Sequence, residues 1–236
     1  MVDDVELVLF ESEEFGGNMP DLGQLQDLNQ LAVEHELTYT VHLPLDLCLG
    51  GGDGEEDRSI QQAKRVIDIT RQLHPEAYTL HLDGRAIMRS GDPAVTEKWL
   101  SATGEALALL CDHVAEPSKL CIENVEAWDP EVFAPLLDEL PVSRTIDVGH
   151  FWLCGEDPME HLRRWIDRTK IIHLHGVVER DHASLAAVRG SELDRVVCFL
   201  LSRFTGIVTL EVFNMADLTS SIEALNSSID RIAGRQ

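Results

Sequence analysis

The sequence predicts an α/β fold, a (β/α) barrel of the TIM type with seven βα units in one domain spanning residues 1–236. Three observations carry this reading. Short apolar runs alternate with amphipathic segments along the whole chain, the pattern of a parallel sheet joined by crossover helices. The units repeat every thirty residues or so (roughly thirty is the usual length of a βαβ step) without a linker or low-complexity tract. Six of the seven apolar runs also end on a carboxylate or an imidazole. Closed (β/α) barrels gather their active sites from the carboxyl ends of many strands. Open doubly wound sheets bind mainly at one switch point. Polar groups at so many strand ends therefore call for a ring.

The first strand is expected over residues 5–11 (VELVLFE). Asp21 then caps a helix whose Leu22, Leu25, Leu28, Leu31 and Ala32 follow a three-to-four spacing. Residues 38–43 (TYTVHL) form the second strand, which carries His42 and is stopped by Pro44. The loop over 45–57 is long and rich in glycine. It lacks the Lys-Ser or Lys-Thr of a phosphate-binding loop and reads as an active-site rim or lid. A helix to about residue 73 leads into the third strand, 77–82 (AYTLHL), with His81. Pro93 opens a helix to 115. The fourth strand, 119–125 (KLCIENV), ends on Glu123 and Asn124, and a short helix spans 130–139. The fifth strand, 144–148 (RTIDV), delivers Asp147, then Gly149 for a sharp bend, then His150. A helix over 158–168 precedes the sixth strand, 170–174 (KIIHL), with His173 and His175 at its end and a loop over 177–185. A helix over 192–203 leads to the seventh strand, 206–212 (GIVTLEV), which carries Glu211, and Asp217 caps a last helix to 232.

Composition bounds the function. Lys and Arg number 19 against 42 Asp and Glu, a formal charge of −23 that disfavours a nucleic-acid partner. Five cysteines without a CxxC pair read as buried, reduced thiols of a cytoplasmic protein. No apolar run reaches the roughly 18 residues of a membrane span, and the first residues lack the pattern of a signal peptide. A small-molecule substrate is the expected partner.

Carboxylates and imidazoles buried at strand ends cost several kcal/mol each unless they are paired or bound to an ion. The strand ends of this sequence offer no Lys or Arg in compensation. The expected counter-charge is a divalent metal, one to three ions, and a nitrogen and oxygen donor set without thiolate suits Zn, Mn or Fe. The candidate ligands are His42, His81, Glu123, Asp147, His150, His173, His182 and Glu211. His175 is placed to orient a substrate or move a proton. His35, His74, His113 and His161 fall on predicted helices and are read as carrying no chemistry. Trp128 and Trp152 follow strand ends and are candidate walls of a substrate pocket. No GxGxxG follows a strand and no GxSxG is present.

Taken in order, Val41-His42-Leu43-Pro44, Leu80-His81-Leu82, Cys121-Ile122-Glu123-Asn124, Ile146-Asp147-Val148-Gly149-His150, Ile172-His173-Leu174-His175 and Leu210-Glu211 resemble the xylose-isomerase-like TIM-barrel superfamily. That group includes endonuclease IV-type AP endonucleases and many sugar isomerases and epimerases. The resemblance implies one metal held by Glu123, Asp147, His173 and Glu211 if the protein is an isomerase or epimerase. It implies up to three zinc ions, with further ligands from His42, His81, His150 and His182, if it is a hydrolase of the endonuclease type. The endonuclease pattern Asp-x-His is replaced here by Arg180-Asp181-His182.

A narrower resemblance, to cobamide-remodelling phosphodiesterases, rests on the stretch from His42 to Leu47 and on His175-Gly176-Val177 leading to Arg180-Asp181-His182. Members of the superfamily usually begin with one more βα unit, so the resemblance implies that the first of eight is missing and the barrel incompletely closed. The leading expectation is metal-assisted phosphodiester hydrolysis. In it Glu123 bridges two metals, Glu123, Glu211 and His175 act at the reacting centre, and Trp128, Trp152, Asn124 and Asp181 contact substrate. The alternatives are a mononuclear sugar isomerase or epimerase, in which Glu123 and Glu211 exchange protons with substrate, and a non-catalytic binding protein.

Overall fold

Parallel strands organise the chain, buried in the middle of the sequence and partly exposed in the first and last strands. The structure, a computed structural model, describes residues 2–12, 16–51, 54–126 and 128–234. It divides into two compact units, Met1–Glu123 with Ala127–Ser143, and Asn124–Glu126 with Arg144–Gln236.

The first unit contains, in chain order, β1 (Asp4–Val8), β2 (Glu11–Ser12), β3 (Gly16–Gly17), α1 (Leu22–His35), β4 (Thr38–His42), α2 (Glu55–Thr70), β5 (Tyr78–Leu80), α3 (Arg85–Ser90), α4 (Pro93–Cys111), β6 (Leu120–Glu123) and α5 (Ala134–Glu139). Strands β1, β4, β5 and β6 lie side by side in that order, all parallel. Val41, Leu80, Leu120 and Ile122 are fully buried, as expected of parallel strands covered on both faces. Leu80 pairs with Ile122, so His81 and Glu123, each one residue further on, come abreast. Helix α1 begins with a reciprocal capping box between Asp21 and Gln24. Helix α4 begins with Asp92 as cap and Pro93 at its first position.

The second unit contains β7 (Ser143–Asp147, from Arg144 on), α6 (Val148–Cys154), α7 (Pro158–Trp165), β8 (Thr169–Leu174), α8 (Gly190–Arg203), β9 (Ile207–Leu210) and α9 (Met215–Ala233). Strands β7, β8 and β9 are parallel and adjacent in that order. Asp147 lies opposite His173, and Leu174 opposite Leu210, so His175 and Glu211 are also abreast. Together the described residues of the two units hold seven parallel strands, the number expected. None of their helices is long and apolar enough to cross a membrane.

Several local expectations are corrected. Helices α3 and α6 were not foreseen. The fifth strand stops at Asp147 because its carboxylate accepts the His150 N–H at 2.8 Å and caps a new helix there. The last helix is capped by Asn214, not Asp217, since Asn214 Oδ1 accepts the Asp217 N–H at 2.9 Å. The first strand ends at Val8, and Glu11–Ser12 joins the small antiparallel β2–β3 hairpin. The five cysteines form no disulfide, but only Cys111 and Cys121 are buried; Cys48 is intermediate, and Cys154 and Cys198 are exposed. In the glycine-rich loop Leu47 and Leu49 are buried, so that part is anchored in the core. Gly52 and Asp53 lie outside the described residues.

Candidate metal centre

Each unit gathers its own set of donors at strand ends. In the first, His42 ends β4, His81 follows β5 and Glu123 ends β6. Their ligand atoms lie within 4.8 Å of one another. Both imidazoles aim at the same oxygen. His42 Nε2 is 3.2 Å and His81 Nε2 2.9 Å from Glu123 Oε2, and the rings meet edge to face at 4.8 Å. The other ring nitrogen of His42 is 2.8 Å from the Leu43 carbonyl. A carbonyl can only accept, so Nδ1 carries the proton and Nε2 presents its lone pair, the arrangement typical of a metal-ligating histidine.

In the second unit Asp147, His150, His175 and His182 form a group of the same tightness. His150 Nδ1 is 2.9 Å from the Asn124 carbonyl, which places a ring proton on that nitrogen. His175 Nε2 lies 3.2 Å from Asp147 Oδ1 but out of line for a hydrogen bond. It and Asp147 Oδ2 are buried without a hydrogen-bond partner. Asp147 also approaches His173 Nδ1, at 3.9 Å, and that nitrogen is 3.0 Å from Glu211 Oε2.

His182 comes from the loop after β8 and completes the group. Its ring stacks on His175 at 4.3 Å and on Phe213 at 4.7 Å. Its Nε2 is 3.5 Å from Glu211 Oε1, and its Nδ1 is 3.3 Å from Asp181 Oδ2. Burial opposes the imidazolium, but hydrogen bonds and charge from Glu211 and Asp181 outweigh it and hold the pKa at about 9. Asp181 stays below the usual carboxylate range despite its own burial, because of the His182 hydrogen bond and the neighbouring imidazoles. This pocket attracts positive charge. Two orphaned buried donors, imidazoles locked with Nε2 presented, and a nitrogen and oxygen donor set all fit a divalent ion such as Zn, Mn or Fe.

The xylose isomerase-like TIM-barrel family model matches residues 2–232. The chain belongs to this family. The (β/α) barrel expected from strand and helix alternation is therefore its fold class. A structure of a D-tagatose 3-epimerase-like protein is similar at 16% identity and a TM-score of 0.79, covering 99% of this chain and 90% of that one. Endonuclease IV from Thermus thermophilus is similar at 17% identity and a TM-score of 0.68, covering 95% and 88%. A second Thermus thermophilus protein, soaked with ZnCl2, is similar at 20% identity and a TM-score of 0.66, covering 97% and 88%. No curated protein sequence matches the chain. At these identities the likenesses speak to the xylose-isomerase-like fold alone.

The remaining expected site residues serve neighbouring parts of the structure. Asn124 spends its amide on the backbone of Asp147, donating to its carbonyl at 2.9 Å and accepting from its N–H at 3.0 Å. Trp128 meets Trp99 and Phe133 edge to face and packs on the first core, while Trp152 packs against the second. Asp181 orients His182. Sequence reading did not place His175 among the donors, although its i, i+2 spacing from His173 was the available signal. It also passed over Glu126, whose Oε2 is 3.8 Å from His150 Nε2. Of the four histidines expected on helices, His113 lies in a turn just past α4 and His74 just past a short helical turn; His113 pairs with Asp68 and His161 with Glu156.

Proposed function

We propose that the protein is a metal-dependent hydrolase cleaving a phosphodiester in a small molecule, with the nucleotide loop of a cobamide as the leading candidate substrate. The observation that carries the reading is the number of donors. His42, His81 and Glu123 form one group, and Asp147, His150, His175 and His182 form another, more than one ion requires. In this reading the first group would hold one divalent ion and the second another. His173 and Glu211 would supply further donors beside Asp147, and the whole chain would act as one domain.

Divalent ions held there would supply Lewis acidity toward phosphoryl oxygens and toward water. The protein's own groups do the rest. The Leu43 and Asn124 carbonyls fix the tautomers of His42 and His150. Glu211, whose side chain keeps 13% of its exposure, would accept or return a proton at its carboxylate. Asp181 would keep the His182 ring oriented. The −23 charge supports a small substrate over a polynucleotide.

A second reading is a sugar isomerase or epimerase. It is favoured by the convergence of Asp147, His173 and Glu211, three of the four residues that the resemblance assigns to a single isomerase metal. The similarity to an epimerase-like structure is in keeping with it. Elemental analysis of protein purified without chelators, paired with turnover assays, separates the two. Two or more equivalents of metal, with hydrolysis of bis-p-nitrophenyl phosphate or a cobamide, support the hydrolase. One equivalent with epimerisation of a ketose supports the alternative. Glu123→Gln should lower bound metal and abolish turnover, and full turnover in that variant would refute the assignment.

A further inference from the structure

His182 reaches its partners through a backbone that does not favour it. Its φ is +49°, in the left-handed region that non-glycine residues avoid. The loop carrying it touches β8 through an antiparallel bridge between Gly176 and Ala183. Between those points, one side chain gathers the loop. Arg180 Nη1 donates to the Asp181 carbonyl at 3.2 Å and to the His182 carbonyl at 3.0 Å. Its Nη2 reaches Asp217 Oδ2 at 2.5 Å. Asp217 sits in the first turn of α9, where Asn214 Nδ2 donates to its Oδ2 at 2.7 Å. The guanidinium thus ties the two carbonyls flanking the strained residue to the start of a long helix. On the other side, the His182 N–H donates to His175 Nδ1 at 3.0 Å.

We propose that Arg180 is a positioning residue for His182: its clasp between the loop carbonyls and Asp217 holds the imidazole stacked on His175 and Phe213 and facing Glu211. A planar fork that donates to three acceptors in fixed directions suits this task, and a lysine ammonium does not reproduce it. The proposal rests on the metal reading only for its consequence, since the clasp itself is made entirely by the chain's own residues.

The test uses the full chain and the variants Arg180→Ala, Arg180→Lys, Asp217→Asn and His182→Ala, each checked for folding by melting temperature. In the metal-free protein, NMR should show the His182 imidazole losing its contacts with the Phe213 and His175 rings in R180A. Retained contacts overturn the proposal. If R180A fails to fold, D217N removes one anchor only and should loosen the same contacts.

Zinc competition titrations give the second readout. R180A should weaken zinc binding by ~10-fold, the scale of a lost outer partner of a ligand. R180K should stay weakened, and R180A combined with H182A should bind no worse than H182A alone. Additive losses, or full rescue by lysine, would show that Arg180 acts through its charge and not through His182. Equal zinc binding by wild type and H182A would refute His182 as a ligand, and the ring contacts would then decide the positioning role by themselves.

Discussion

Gly149 shows how a single residue's role changes once its neighbours are known. The sequence suggested a glycine that lets the chain bend, yet Gly149 is not among the residues with positive φ and lies inside α6. Its hydrogen is needed because the His175 ring lies against it: a Cβ would come within 2.3 Å of the ring atoms. His175 is fully buried and has nowhere to retreat. Helix propensity alone predicts that Gly149→Ala stabilises by about 1 kcal/mol. Packing predicts the opposite sign, a lower melting temperature together with loss of metal from the second unit. A stabilised variant with full metal content would contradict this account of the contact.

At the scale of elements, Asp147 does two jobs at the junction of β7 and α6. Its Oδ1 caps the helix by accepting the His150 N–H, and its Oδ2, buried without a hydrogen-bond partner, is the oxygen proposed to meet an ion. Two substitutions should separate these roles. Asn keeps an acceptor for the cap and removes the charge, whereas Ala removes both. In chelated protein Asp147→Ala should be less stable than Asp147→Asn by about 1 kcal/mol, the usual worth of such a cap. Both variants should fail to bind metal in the second unit. Thermal melts in chelator and metal titrations report the two effects separately; equal melts for the pair would remove the capping role. Asn124 belongs to the same junction, because its amide continues the hydrogen bonding of β7 beyond the strand.

For the whole molecule, the proposed ions would lie among buried carboxylates and imidazoles whose atoms are already close together. Metal should therefore be a large contributor to stability. Saturation at a hundredfold above the dissociation constant adds about 2.7 kcal/mol. For a chain of this size each kcal/mol shifts the melting temperature by roughly 2–4 °C. Exhaustive chelation should thus lower it by about 5–10 °C, with recovery on adding Zn, Mn or Fe. A melting temperature indifferent to chelator and metal would mean that neither group holds an ion in solution.

The sequence by itself determined the alternation of strands and helices, the seven parallel strands and the residue types at their ends. Those follow from local regularities: a continuous apolar run marks a strand covered on both faces, a three-to-four spacing marks a helix, and a charged residue closing an apolar run stands out. The helix at Val148–Cys154 escaped because its signal is one capping carboxylate inside an apolar stretch that also reads as a strand. Tertiary structure alone decided which donors meet. His81 meets Glu123 through the pairing of Leu80 with Ile122 across 42 residues of chain, and His182 meets Glu211 through a left-handed turn and an arginine clasp. Register and clasp are non-local, set by how distant segments pack, and no window of sequence contains them.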